Sequence, residues 1–395
     1  MRDVISLFEE YYEKKDLIEI SIDKMKEELE PYINKIVLYG AGSAGIAFYN
    51  YLKDAGIEVK CFADGDSEKW GKKCEGIEII NYRDIVYRVG KDALVIVTIN
   101  TDGVNYCKSF KEELKKGGHQ EVHNQLHDAG CENVVDYAYF RKVKQLYEGD
   151  RYNLFGCSDV LLMQRKISLI EEAYSYLEDD TSREIFVKLL RYRLLNENVN
   201  IPCLSEQNRY FEYLFWEHNN KESFVDCGAF NGNSLQQLIK TCGSFNYYYG
   251  YEVDEDNYKE LLAYIDTLDE KYKTKCTVFN SAVWDLNGTT TCYKLSGPGS
   301  FAHPLGESIV RTITIDDSVQ RDVSYIKMNI EGSEIRAIRG AKNTIMATHP
   351  HMMLAGYHKT KDMWEIPLLV KSYVPEYKIN LRTYMGTIDF YYCFS

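Results

Sequence analysis

Apolar positions first recur along this chain at helical spacing. Ile5, Phe8 and Tyr12, then Ile20, Ile22, Met25 and Leu29, predict a leading helical segment over residues 1–33. From Lys35 the rhythm changes. An apolar run, KIVLYG, meets a glycine turn and a helix-like AGIAFYNYLKDAG, and the short apolar runs EVKCFAD and ALVIVTI follow. Strands alternating with helices are the pattern of a parallel α/β sheet, here over 34–133. Residues 134–221 read as a helical connector or cap, poor in glycine and rich in Leu, Tyr, Lys and Arg. Its stretch DDTSREIFVKLLRYRLL offers Thr181 or Ser182 as N-cap, with Glu184 close behind. A second α/β alternation, 222–395, runs from SFVDCGAFNG through YYYGYEVDED, CTVFNSAVWD and VSYIKMNIEG to HMMLAGYH. The two do not align with each other. The expected architecture is therefore α/β: two Rossmann-like, doubly wound domains joined by a helical connector.

A chain of 395 residues is long enough for two such cores. Its 47 Lys and Arg against 60 Asp and Glu leave a net charge of −13, which opposes nucleic acid or an anionic membrane as main partner. A local basic pocket for a phosphorylated or nucleotide-linked small molecule stays compatible. Eleven cysteines without a CxxC pair read as reduced, buried thiols of a cytoplasmic protein. The opening MRDVISLFEEYYEKKDL lacks the apolar core of a signal peptide, and no window has the uninterrupted apolar length of a membrane span. The 33 tyrosines fit either an AT-rich coding bias or carbohydrate-contacting surfaces. Self-association into a homo-oligomer is left open.

Four features in the second α/β segment carry chemistry. In Phe224–Gly232 an apolar strand runs into D-x-G-x-x-x-G, with Asp226, Gly228 and Gly232 where a backbone approaches a ligand. Tyr249-Gly250-Tyr251 ends in Glu252, about twenty positions on, where a carboxylate meets ribose hydroxyls. Ser281 and Ala282 close the next strand, at the adenine edge. Asn329 and Glu331 close the fourth, where donor and acceptor meet. This form places no glycine tight against a pyrophosphate and suits a sulfonium amino acid.

The strings VDCGAFNG, YGYEVDEDNY, NSAVW, TIDD, YIKMNIEGSEIRAIRGA and YHKTKDMWEIPLLV, through LRTYMGTIDFYYCF, resemble the FkbM-type methyltransferases over about 170 residues. The resemblance implies a class I fold that transfers methyl from S-adenosyl-L-methionine, usually to a hydroxyl of a sugar or polyketide. Asn329 stands where the family pattern has Asp, and Thr383 where it has His.

Methyl transfer to a hydroxyl rests on positioning and a base. His358 is the candidate base, with a structural hydrogen bond to the neighbouring helix as its plainer role. Glu331 and Glu334 are the other candidates, and for Glu331 the plainer role is an N-cap or a salt bridge. Asp316 more often caps a turn than touches a ligand.

Earlier in the chain, Gly40-Ala41-Gly42-Ser43-Ala44-Gly45 is a G-x-G-x-x-G between a strand and a helix, with amides that would face a phosphate, and Asp64 closes the second strand. This part resembles the nucleotide-sugar-binding domain of bacterial sugar acetyltransferases over about 70 residues. A docking or dimerisation module is the alternative. His119, His123 and His127 fall on one helical face, yet nothing completes a metal pattern, so no metal is expected. The favoured activity is O-methylation of a small-molecule acceptor, a sugar or nucleotide-sugar of glycan biosynthesis. The alternatives are a polyketide-like metabolite as acceptor, or a catalytically silent nucleotide-binding protein.

Overall fold

The computed structural model describes residues 2–18, 21–99, 110, 114, 120–142, 159–195, 197, 199–205, 209–211, 217, 219–293, 301–302, 308–386 and 389–395. The chain divides into two compact units, residues 1–167 with 187–200, and residues 168–186 with 201–395.

In the first unit the strands are β1 (Ile36–Tyr39), β2 (Cys61–Asp64), β3 (Lys73–Cys74), β4 (Ile77–Asn81), β5 (Leu94–Val97) and β6 (Asn133–Asp136). They form one sheet in the order β3-β4-β2-β1-β5-β6, parallel except for the β3–β4 hairpin. The runs IVLY, CFAD and LVIV are buried at every position, as strands covered on both faces must be. Phe48 and Tyr51 of the helix Ser43–Asp54 stack at 5.0 Å over this sheet. The leading segment is helical, over Arg2–Ile18 and Ile22–Leu29, but its buried stripe is Val4, Leu7, Phe8 and Tyr11. Ile5 and Tyr12, counted in the apolar rhythm, are 44% and 49% exposed. Both stripes have helical period and share Phe8, and the one that is buried is turned by one residue from the expected one.

In the second unit β7 (Ser223–Cys227), β8 (Tyr247–Glu252) and β9 (Cys276–Asn280) run one way from the centre of a seven-stranded sheet. The chain next builds a separate four-stranded sheet from β10 (Ala282–Val283), β11 (Gly288–Tyr293), β12 (Phe301–Ala302) and β13 (Ser308–Ile313). It then returns to the centre as β14 (Tyr325–Met328), β15 (His351–Ala355), β16 (Ile379–Thr383) and β17 (Phe390–Phe394). The order is β16-β17-β15-β14-β7-β8-β9, with β17 antiparallel to both neighbours. The direction of winding reverses between β7 and β14, and ligands of open α/β sheets bind outside the strand ends at that point. Phe224 and Tyr325 stack at 4.9 Å across this junction.

The helix over DDTSREIFVKLLRYRLL spans Asp180–Leu195. Its first-turn amide at Ser182 is met by Asp179 Oδ1 at 2.7 Å, so the capping side chain lies before the expected Thr181 or Ser182. Ser182 Oγ instead accepts from the Leu381 amide at 2.9 Å, which ties the helix start to β16. Asp316 also acts as a cap, accepting from the amides of Asn343 and Thr344 in the first turn of Lys342–Thr348. Among the described residues no helix is long and apolar enough to cross a membrane.

Candidate active site

The turn after β7 is pressed onto β14. Gly228 has φ +84°, and a Cβ there would lie 2.2 Å from the carbonyl oxygen of Asn329. Gly232, φ +94°, opens the helix Asn233–Cys242, and its missing Cβ makes room for Tyr264, 2.7 Å away. Gly232 thus packs a helix start against the helix Glu255–Asp266. Glu252, at the tip of β8, clasps the turn: its carboxylate accepts from the amides of Phe230 at 2.8 Å and Asp254 at 2.9 Å. Burial raises the Glu252 carboxyl above its ordinary value, against the pull of those two amides and of Lys327. Ser281 and Ala282 follow β9, both buried, with the Ser281 amide donating to Glu252 O at 3.1 Å. Asn231 Oδ1 in the turn is buried and has no hydrogen-bond partner among the described residues.

Asp226 points away from this surface. It is fully buried and receives Lys327 Nζ at 2.9 Å and the Tyr248 hydroxyl at 2.9 Å. Burial by itself would lower the Lys327 ammonium, and the Asp226 carboxylate beside it outweighs that and holds it above its ordinary value.

At the tip of β14 the Asn329 amide is held by three phenols. Its Nδ2 donates to Tyr210 Oη at 3.2 Å and Tyr391 Oη at 3.3 Å, and its Oδ1 accepts from Tyr357 at 3.1 Å. Tyr210 has a left-handed backbone, φ +75°, and Tyr325 Oη donates to its carbonyl. Beside it, Arg209 pairs with Asp389 at 2.5 Å and lies over the Tyr384 ring.

Glu331 follows in a left-handed conformation, φ +55°, uncommon for a residue with a side chain. One oxygen lies 3.4 Å from His358 Nε2, while His358 Nδ1 lies 3.0 Å from Glu334 Oε1. Glu334 also receives the Ile330 amide at 2.9 Å. The imidazole, fully buried, is thus flanked by two carboxylates. Burial alone would lower its pKa, but Glu334 and Glu331 outweigh burial and raise it well above the ordinary histidine value. Glu334 moves the opposite way: burial raises it, and His358 pulls it below its ordinary value.

Asp362 completes this cluster, accepting from the Lys359 amide at 2.9 Å, and burial with the Glu334 charge pushes its carboxyl up to about 7. An unfolded Asp titrates near 3.9, so the stability this group contributes is full below about pH 4 and is lost as pH rises through 7. The raised His358 acts in the same direction above about pH 6.5. The melting temperature should therefore fall between pH 5 and pH 8, and Asp362→Asn should flatten that fall. An unchanged slope in the variant would refute the assignment.

The structure brings Gly228, Gly232, Glu252, Ser281, Asn329, Glu331 and His358 to the strand ends on one side of the sheet, and turns Asp226 inward, while Ala282, expected to close β9, instead opens β10 of the small sheet. Sequence reasoning did not assign roles to Lys327, Tyr210, Tyr357, Tyr391 or Asp362. Lys327 and Asp362 lie within the strings IKMNIEGSE and YHKTKDMWEIP and could have been questioned there. The tyrosines carry no local signal.

In the first unit Gly40 has φ +110°, and a Cβ on Gly45 would lie 1.9 Å from Gly40 O, so the fold itself requires both. Gly42 has nothing within 4 Å of where its Cβ would stand. The helix Ser43–Asp54 begins beside it, and the Ser43 side chain lies outside the described atoms. Asp64 accepts from the amides of Ala41 at 2.8 Å and Asp66 at 2.9 Å, and from Lys69 Nζ at 3.1 Å. Burial opposes its charge, yet those donors hold it below the ordinary value. His119 lies outside the described residues. His123 Nε2 is 3.4 Å from Asp136, and His127 Nδ1 lies 2.8 Å from Cys131 O.

The strand order and the loop-and-acid edge of the second unit define the fold of a methyltransferase. Residues 226–385 match the methyltransferase FkbM domain family, so this part of the chain is a methyltransferase domain of the FkbM type. Residues 32–116 match the family described as C2185-like, N-terminal. The crystal structure of methyltransferase FkbM from Methylobacillus flagellatus KT overlays 99% of this chain and 100% of its own, with a TM-score of 0.68 at 19% identity. An rRNA methylase from Streptococcus thermophilus covers 45% of this chain and 87% of its own at 14% identity, with a TM-score of 0.29. The N-terminal domain of human METTL16 in complex with SAH covers 44% and 61% at 12% identity, with a TM-score of 0.27. No curated protein matches the sequence.

Proposed function

We propose that the protein transfers a methyl group from S-adenosyl-L-methionine to a hydroxyl of a sugar or nucleotide-linked sugar. The observation that carries this is the shared edge: the Gly228–Gly232 turn, the Glu252 clasp and Asn329–Glu331 all lie at the ends of β7, β8 and β14 around the point where winding reverses. The residues there fit the cofactor. Glu252 has lone pairs beyond the two its clasp uses, for ribose hydroxyls, and the partnerless Asn231 Oδ1 is an acceptor for a positively charged group. Ser281 and Ala282 would border the adenine, and Asp226 would act from below by fixing the turn.

When bound, S-adenosyl-L-methionine supplies an electrophilic methyl group. The protein holds the acceptor and removes its proton. A charged imidazolium has no lone pair to take a proton, so His358 cannot be the base in the state the structure favours. Glu331, partly exposed at the strand tip, takes that role, and His358 with Glu334 behind it fixes the Glu331 carboxylate. The half-buried Tyr210 and Tyr357 beside Asn329 give this strand tip a polar, aromatic surface in keeping with a sugar, while Tyr391 is fully buried. In the first unit the open space over Gly42 at a helix start supports a nucleotide or nucleotide-sugar ligand for Gly40, Gly42, Ser43, Gly45 and Asp64.

Asn329 favours one other reading, a catalytically silent nucleotide-binding protein, because an amide cannot balance a sulfonium charge. Calorimetric titration of S-adenosyl-L-methionine and S-adenosylhomocysteine into the full chain, followed by methyl-transfer assays on nucleotide-sugars, separates the readings. Micromolar binding with turnover is the expected result. Binding without turnover selects the silent protein, and no binding at millimolar ligand removes the methyl-transfer reading.

A further inference from the structure

Lys327 lies at the reversal point itself, next to the last residue of β14, with 3% of its side chain exposed. Its ammonium has two acceptors at the end of β7, Asp226 Oδ1 at 2.9 Å and Cys227 O at 3.3 Å, and a third on the turn that follows, Gly228 O at 2.7 Å. The Tyr210 ring covers another side of it, 5.0 Å from the ring centre. We propose that Lys327 is the positioning residue of the methyl-donor site, setting the glycine turn that receives the donor and linking it to the Tyr210–Asn329 network on the acceptor side. This rests on the methyl-donor reading of that edge.

Two observations set this apart from a strut between strands. First, β7 and β14 are already joined by a parallel register of four residue pairs, Phe224↔Tyr325 to Cys227↔Met328. The Gly228 carbonyl lies beyond that register, on the turn. Second, the first unit makes the corresponding tie without a charge. There Thr98, just after β5, donates its hydroxyl to the carbonyls of Tyr39 and Gly40 at 2.9 Å. A hydroxyl is enough to hold a strand end against its neighbour. A buried ion pair is, in addition, often no better for stability than well-packed apolar side chains of similar size. The charge therefore has another use. Lys327 is among the groups that favour the ionised form of Glu252, against the burial that disfavours it. One side chain thus holds the carbonyl of the donor turn and adds to the groups that favour the charged form of the carboxylate clasping it.

The test compares wild type with Asp226→Asn/Lys327→Met, which removes the pair without leaving a lone buried charge. Amide hydrogen exchange of residues 228–232 should speed up at least tenfold in the folded variant. S-adenosyl-L-methionine should bind at least tenfold more weakly, and the pH midpoint of its binding should move up. Wild-type exchange and wild-type affinity in the folded variant would reduce Lys327 to a strut and overturn the proposal. If the double variant does not fold, Lys327→Arg decides. It keeps the charge but replaces three converging donors with a planar fork, and unchanged exchange and affinity there overturn the proposal equally. Exchange needs no ligand. Absence of binding to wild type would therefore remove the methyl-donor reading while the exchange result still judges Lys327.

Discussion

Glu331→Gln should lower kcat for methyl transfer by about 10²–10⁴-fold, the range for loss of a positioned general base, while the affinity for S-adenosyl-L-methionine changes little. The amide keeps the size of the side chain and an oxygen for the His358 contact, but takes no proton. The surrounding charges sharpen the expectation. His358 is flanked by Glu331 at 3.4 Å and Glu334 at 3.0 Å, and the pair keeps the imidazole protonated. In the variant one of the two carboxylates is gone, so the histidine pKa should fall toward its ordinary value. A partial rescue at alkaline pH, with neutral His358 taking the proton, would fit this geometry. A wild-type kcat in Glu331→Gln would place the base elsewhere.

Glu252→Ala should abolish cofactor binding in the micromolar range, weakening it by about 100-fold or more. Two charge-assisted hydrogen bonds to ribose hydroxyls, each worth about 1.5–3 kcal/mol, account for that size. The clasp adds to it, because the amides of Phe230 and Asp254 lose their acceptor and the turn its closure. Glu252→Gln separates the two effects: its remaining oxygen can accept one amide, so it should melt closer to wild type yet bind poorly. Titration calorimetry beside thermal melting reads both. Retained affinity in Glu252→Ala with a lowered melting temperature would make the residue a loop clasp and nothing more.

Much of the sheet was legible because its strands are short apolar runs between glycine turns. IVLY, LVIV and YIKM are buried throughout and could be read as such. The small sheet β10–β13 was not read. Its strand GTTTCY is polar, with Thr289 exposed, and lacks the apolar signal of a buried strand. The places of Gly228 and Glu252 were legible because each follows or ends a short apolar strand, one strand–helix unit apart. The partnership of Glu331, His358, Glu334 and Asp362 was not, since it forms only when the start of Glu334–Arg339 meets the loop before Asp362–Tyr373. Tyr210 was further from reach: it precedes the family-matched residues, and its contact with Asn329 spans 119 positions. Local pattern fixes elements and turns, while contacts of that separation depend on how the elements are assembled.

The clasp at Glu252 also bears on how a ligand would arrive. The Phe230 amide of the glycine turn is held by the Glu252 carboxylate, which the Asp254 amide fixes in turn, so the protein's own hydrogen bonds shape the turn. Entry of the donor then pays little ordering entropy, and association is governed by diffusion and orientation. Discrimination among related donors would accordingly lie in how long each one stays.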